Sequence, residues 1–332
     1  MKKILTILMS LVLIFGLVAC NGADKKPETT EEAADKVWKV AMIANAPIDD
    51  GGFNASCYAG MTEAAKIHGF ETAYTENVSE ADYVAAFTDY ANAGFDLIFA
   101  PGNEFTDSVE AVAPNFPNVD FMILNGFATG DNYISIRTDN TAQGFVAGVM
   151  AGLKTKTNHL GFVGGMEITT GLQAADGFEQ GVKYVNPEAT VHTMYSNSWD
   201  DMALGKEIAL SMINTYDVDV FFGAASAVDV GTREAALEQG RWAVAQPGET
   251  LEQNPDVILT SVITDNTALI GYAMEQCKAG TLGNDVFAGG VAEGILFHGK
   301  IGPQAEDVEE EFLRIFAGIK DGSITFDYNV EE

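Results

Sequence analysis

From Trp38 onward, short runs rich in β-branched and aromatic residues alternate with stretches whose apolar residues recur every three or four positions. The first kind predicts strands at "WKVAMIAN", "FETAYTEN", "FDLIFAPG", "VDFMILNG" and "YISIRTD". The second predicts helices at "YAGMTEAAKIHG", "ADYVAAFTDYANAG" and "FTDSVEAVAPNFP", each ending near glycine or proline. A long helix, "NTAQGFVAGVMAGLKTK", follows, and the alternation restarts. Strands at "HLGFVGG", "TVHTMYS", "VDVFFGAA", "RWAVAQP" and "VILTSVITD" are separated by helices near 172–184, 203–213 and 230–238. The helix "NTALIGYAMEQCKAG", the stretch "VFAGGVAEGILFHG" and an acidic helix over 306–320 complete the chain. Serial βα units imply an α/β protein with parallel sheets covered by helices. Two such series in 332 residues imply two lobes.

The first residues do not belong to this pattern. "MKKILTILMSLVLIFGLVAC" has a basic start at Lys2 and Lys3 and an apolar stretch from Ile4 to Val18, the layout of a secretory signal over 1–19. Small Ala19 before Cys20 matches a lipobox, in which Cys20 is lipidated and anchors the mature chain to a membrane. Residues 20–36 are polar and charged, too poor in large apolar groups to build a core, and read as a tether.

The net charge is -30, from 18 basic and 48 acidic residues. So acidic a surface repels phosphate backbones, which excludes a nucleic acid as partner. His68, His159, His192 and His298 show no ligand spacing, so no metal site is expected. Nor is there a Ser-His-Asp or Cys-His set or a phosphate-cradling glycine loop, so no catalytic residue and no cofactor are assigned. Cys57 and Cys277 can pair or stay as buried thiols, and thiols are favoured.

Ligands of open parallel sheets bind beyond the carboxyl ends of the strands. Those ends carry Asn45 to Asn54, Pro101 to Phe105, Asn125, Asp139, Gly164 to Glu167, Asn197 to Asp201, Ala224 to Ser226, Gln246 and Thr264, a polar and aromatic edge on each lobe that describes a cleft for a small molecule. In "PIDDGGFN", Gly51 and Gly52 permit a sharp turn, Asp50 can accept from ring or exocyclic N–H groups, Phe53 supplies a flat face, and Asn54 both donates and accepts. The plainer alternative makes Asp49 or Asp50 the cap of the following helix. In "SNSWDDMALGKE", Trp199 follows a strand, and Asp200 or Asp201 is placed to cap a helix. Phe53 and Trp199, one from each lobe, can sandwich a planar ring, with Phe105 as a third wall.

The lipobox leader, "IDDGGFNASCYAGM", "PNVDFMILNG", "DNTAQGFVAGVMAGL", "HLGFVGGMEI", "GFEQGVKYVNP", "SWDDMALGKEIA" and "ILTSV" resemble the basic membrane protein family in matching order over nearly the whole mature chain. These are substrate-binding lipoproteins similar to the purine nucleoside receptor of ABC transporters. The resemblance implies a type I periplasmic-binding-protein fold, two flavodoxin-like lobes joined by three crossovers. We divide it as 37–156 plus 265–285 and 157–264 plus 286–332. It implies a monomer on the extracytoplasmic face of the cell membrane, a purine nucleoside or nucleobase as ligand, and a permease partner. The resemblance carries over Asp50, Phe53 and Asn54 as base-reading and stacking groups and Trp199 as the second lobe's stacking ring; with the strand-end residues Phe105, Asp139, Ala225, Gln246 and Thr264 they make up the candidate ligand set. Tryptophan at 199, where nucleoside-binding members usually carry phenylalanine, is similar to members that take free bases. Gln246 stands where the family has a ribose-binding aspartate, Thr264 where it has lysine, and Ser226 with Ala227 where it has two glycines. Base recognition is therefore carried over and ribose recognition is not. Two other functions fit the same residues: a sensor or receptor for a sugar-like or signalling ligand, and a nucleoside hydrolase using Asp49 or Asp50 to activate water.

Overall fold

The computed structural model describes residues 36–45, 47–49 and 53–330. Its strands are β1 (Trp38–Ile43), β2 (Phe70–Thr75), β3 (Leu97–Pro101), β4 (Asp120–Leu124), β5 (Tyr133–Thr138), β6 (His159–Gly164), β7 (Thr190–Tyr195), β8 (Val220–Ala224), β9 (Trp242–Ala245), β10 (Ile258–Thr264), β11 (Val286–Gly289) and β12 (Leu296–His298). Its helices are α1 (Phe53–His68), α2 (Tyr83–Asn92), α3 (Thr106–Val112), α4 (Asn140–Lys154), α5 (Thr169–Val185), α6 (Met202–Tyr216), α7 (Ala227–Glu238), α8 (Asn266–Ala279) and α9 (Glu309–Lys320). Each run read as a strand contains one, and "VFAGGVAEGILFHG" contains two.

The strands form two six-stranded sheets, ordered β11-β5-β4-β3-β1-β2 and β12-β10-β9-β8-β6-β7. Pairing is parallel except at β12, which runs antiparallel to β10 on the edge of the second sheet. Alternate residues serve opposite faces, as the strand period of two requires. Val40, Met42, Leu97 and Phe99 pack beneath α1 and α8, whereas Ala41, Ile43, Ile98 and Phe121 pack beneath α2 and α3. The second sheet is covered likewise, by α4 and α5 on one face and by α6 and α7 on the other. Cys57 and Cys277 lie buried as thiols in the first lobe's core.

The chain passes between lobes three times: from β5 to α4, from β10 to α8, and from β11 to β12. Two of the expected boundaries move as a result. Helix α4, assigned from sequence to the first lobe, packs into the core of the second, and β11, assigned to the second, pairs with β5 of the first. The first two crossovers carry the same five residues, Thr-Asp-Asn-Thr-Ala, at 138–142 and 264–268. In each, the aspartate caps the helix that enters the other lobe. Asp139 accepts from the Ala142 N–H at 2.9 Å, and Asp265 from the Ala268 N–H at 3.0 Å. The Thr138 and Thr264 hydroxyls meet across the pair at 3.4 Å.

Helices α4 and α5 touch backbone to backbone. Gly144 and Gly148 lie against the carbonyls of Ala174 and Phe178, while Gly177 and Gly181 lie against those of Thr141 and Phe145. A side chain at any of the four would collide with main chain. The C-terminal segment then runs along α5. Gln180 bonds to both backbone groups of Asp327, Phe326 stacks on Phe145 at 4.9 Å, and the Tyr328 hydroxyl donates to Asp139 Oδ2 at 2.7 Å.

Gly148→Ala is expected to destabilise the protein by about 2 kcal/mol or more, within the range for overpacked cores, despite the roughly 1 kcal/mol of helix propensity that alanine adds over glycine. Urea unfolding measures this directly. An unchanged midpoint would mean that the two helices do not touch in solution.

Candidate functional site

The carboxyl ends of the strands carry two separate polar and aromatic stations. In the first lobe, β1 ends beside Asn45, whose Nδ2 donates to Glu104 Oε1 at 2.7 Å and whose Oδ1 faces the Nδ2 of Asn54 at 3.5 Å. Asn54 is buried on α1, while Phe53, the first residue of that helix, is 40% exposed. Amide and ring thus take opposite roles: one is held by the fold, and the other is presented to solvent. The loop after β1 is pinned where the Ile48 N–H donates to Glu76 Oε2 at 2.8 Å. Asp50, expected to read the ligand's edge, lies outside the described residues, as does Cys20.

Phe105 is not a cleft wall. It has no exposed surface and lies in the core of the first lobe, 4.1 Å from the Tyr83 ring and 6.3 Å from that of Phe87. An aromatic just past a strand end serves either the cleft or the core beneath the next helix. Here the ring points inward because α2 and α3 need it to fill the space above Ile98 and Phe121. Tyr83, pressed against it, has its hydroxyl pKa raised by burial and by the neighbouring Glu104 carboxylate.

In the second lobe, Trp199 is 41% exposed. Its ring atoms Cε3 and Cζ3 lie where a side chain on Gly165 would begin, so the indole rests on bare backbone at the end of β6. Its carbonyl accepts from the Ala227 N–H at 2.9 Å, tying the loop to the start of α7. Ser198 braces the same loop, its hydroxyl donating to Asp200 Oδ1 at 2.9 Å, and Asp201 caps α6 by accepting from the Leu204 N–H. Of the two aspartates expected near this helix start, Asp201 is therefore the cap.

Three more of the expected residues, Asp139, Thr264 and Gln246, lie at or beside the crossovers, and each has internal partners. Asp139 has both carboxylate oxygens engaged, one by the cap of α4 and one by Tyr328. Burial pushes its pKa up, opposed by those two bonds. It is a structural acid at the hinge, each oxygen already accepting one internal bond. Asp265 is the matching cap at the second crossover. Thr264 faces Thr138, and its N–H donates to the Pro247 carbonyl at 2.9 Å. Gln246, joined to Pro247 through a cis peptide, is half-buried at the end of β9.

Ala225 is also corrected. Its side chain is fully buried, its N–H donates to Asp229 Oδ2 at 3.1 Å, and its carbonyl accepts from the Val228 N–H. Both backbone groups already have partners inside the lobe. The residue that sequence reasoning missed is Asp229, whose carboxylate also receives the Gln246 amide at 3.1 Å. An acid in the first turn of a helix invites reading as a dipole-compensating surface charge, which concealed this one.

Comparison with known proteins agrees with this architecture. A family-wide sequence profile described as "ABC transporter substrate-binding protein PnrA-like" matches residues 37–311. A Listeria innocua protein named "CD4+ T-cell-stimulating antigen" is 31% identical over 69% of this chain and 67% of its own length. The "ABC transporter nucleoside-binding protein BmpA" of Lactococcus lactis is 29% identical over 67% of this chain and 64% of its own. Among solved structures, a transcriptional activator of the comK gene from Bacillus halodurans superposes with a TM-score of 0.76 at 23% identity, covering 87% of this chain and all of that one. An ABC transporter solute-binding protein from Conexibacter woesei superposes at 0.71 and 21% identity, covering 89% and 100%. The two-lobed α/β fold is that of type I periplasmic solute-binding proteins. The chain belongs to the PnrA-like family of ABC transporter substrate-binding proteins, and it is a solute-binding protein rather than an enzyme.

Proposed function

We propose that the protein is held at the outer face of the cell membrane by a lipid on Cys20 and, as a monomer, captures a purine base or nucleoside between its lobes for a membrane permease. The observation that carries this reading is the pair of large exposed rings, Phe53 and Trp199, each at the strand-end edge of a different sheet. A flat heterocycle held between the lobes would cover both rings, as small-molecule sites bury most of their ligand. Asp50 and Asn54 would then read the rim of the ring. A ligand touched by both lobes favours the closed arrangement, because only there does it make both sets of contacts. That arrangement is what a permease can distinguish from the empty receptor. The name of the Lactococcus relative, a nucleoside-binding protein, supports the ligand class.

A second reading keeps the ligand site and changes the output. A Bacillus subtilis relative, 27% identical over 82% of this chain, is named "Transcriptional activator protein med", which favours a sensor for a small ligand. Neutral side chains at Gln246 and Thr264 leave the ligand's second half unassigned, so a sugar-like ligand belongs to this reading.

Thermal unfolding with purine bases, purine nucleosides and simple sugars separates the two. A ligand at a hundred times its Kd adds about 2.7 kcal/mol to stability, enough to raise Tm by several degrees. Purines are expected to do so. Stabilisation by a sugar alone would overturn the ligand class. Trp199→Ala is expected to weaken purine binding roughly tenfold or more in calorimetry, since stacking on an aromatic is worth about 1–3 kcal/mol per base. Unaltered affinity would remove Trp199 from the site. Cys20→Ser is expected to move the protein from the membrane fraction to the soluble one, and retention at the membrane would argue against the lipid anchor.

A further inference from the structure

Asp229 is the most deeply placed carboxylate near the strand-end edge of the second lobe, only 4% exposed. One of its oxygens, Oδ2, accepts from the Ala225 N–H and from Gln246 Nε2, both at 3.1 Å. The other, Oδ1, packs against Gly223 and has no hydrogen-bond partner among the described residues. A cavity of about 10 Å³ lies alongside, bordered by Gly223, Thr232 and Arg233. This acid plays no part in the helix caps, the crossovers or the ring sandwich.

An ionised carboxylate only accepts hydrogen bonds, so the group that Gln246 turns to it must be the amide NH₂. The Gln246 carbonyl then points the other way. Gln143 Nε2, in the first turn of α4 just past the first crossover, approaches that oxygen at 3.5 Å, the long limit of a hydrogen bond. An sp² oxygen has two lone pairs, and this contact occupies no more than one of them. The geometry points to Asp229 as a positioning residue that locks the Gln246 amide with its nitrogen turned into the lobe and its oxygen turned toward Gln143 and the first crossover. The second lobe thereby presents a neutral acceptor that selects ligands offering a hydroxyl or N–H donor there. The ligand half of this statement rests on the site proposed above; the orientation of the amide does not.

The same geometry makes the lock sensitive to pH. Burial pushes the Asp229 carboxyl up to about 6, opposed by the Ala225 N–H, by the Arg233 guanidinium one turn along α7, and by the Gln246 amide. The other groups bordering the cavity, from β8 and β9, are Phe221, Phe222, Gly223, Ala243 and Val244, none of them titratable. Above that pH the acid is ionised and the bond from Gln246 is charge-assisted. Below it the proton sits on the partnerless Oδ1, and Oδ2 becomes a weaker acceptor. The amide is held above pH 6 and loosened below it.

The test uses the purified protein, its Asp229→Asn and Gln246→Met variants, and hypoxanthine and inosine as probes. NMR of the ¹⁵N-labelled protein identifies the Gln246 side-chain amide by its loss in Gln246→Met. In the wild type those signals are expected to titrate with a midpoint near pH 6, and in Asp229→Asn to stay constant. Signals that are constant in both, or that titrate in both, overturn the lock whether or not a purine binds. In calorimetry, the affinity of whichever probe binds is expected to fall at least threefold from pH 7.5 to pH 5 in the wild type. In both variants it is expected to be independent of pH. An equal pH dependence in all three proteins removes the acceptor from the ligand site. Failure of both probes to bind the wild type counts against the purine assignment instead, and the NMR result still decides the lock.

Discussion

Two aspartates in the same short phrase organise the molecule. Asp139 and Asp265 each stand where the chain leaves one sheet and begins a helix that packs in the other lobe. A helix start has N–H groups without intrahelical partners. The capping carboxylate meets that need within the same residues that turn the chain. Both sheets therefore end at the crossovers, with Thr138 and Thr264 in contact between them.

The site residues divide by how much of their bonding the fold has already taken. Phe53 and Trp199 remain exposed although they are large and apolar, whereas Phe105, Asp139 and Ala225 are consumed by core packing, a helix cap and an internal acid. All five occupy comparable places just beyond strands, so position along the chain does not separate them. Satisfaction does. A group whose partners are internal stabilises the lobe, and a group whose surface is open can still meet a ligand.

The pairing of Gln246 with Asp229 follows the same logic. A second carboxylate at 246 would stand about a hydrogen bond's length from a buried acid, and one of the two would have to take up a proton. An amide instead satisfies the acid and keeps a neutral acceptor beyond it. The desolvation of Asp229 is offset by three favourable contacts and is still large enough to raise its pKa to about 6.

Alternating runs of β-branched residues and three-four spacing were enough to place β1 to β10 and the helices between them, because side-chain period is a local property. The lobe count and the polar strand ends were equally legible, as were the two rings that stay exposed. The membership of α4 and β11 was not. A helix's own sequence says which face is apolar, but not which sheet that face will cover, and α4 is claimed by the second lobe through glycine-to-backbone contact with α5. Likewise, "NEFTD" does not reveal that Phe105 points down, nor "SAVDV" that Asp229 points in. Direction is decided by which neighbours leave space and which donors lack an acceptor, and those are relations between distant segments that exist only once the chain has packed.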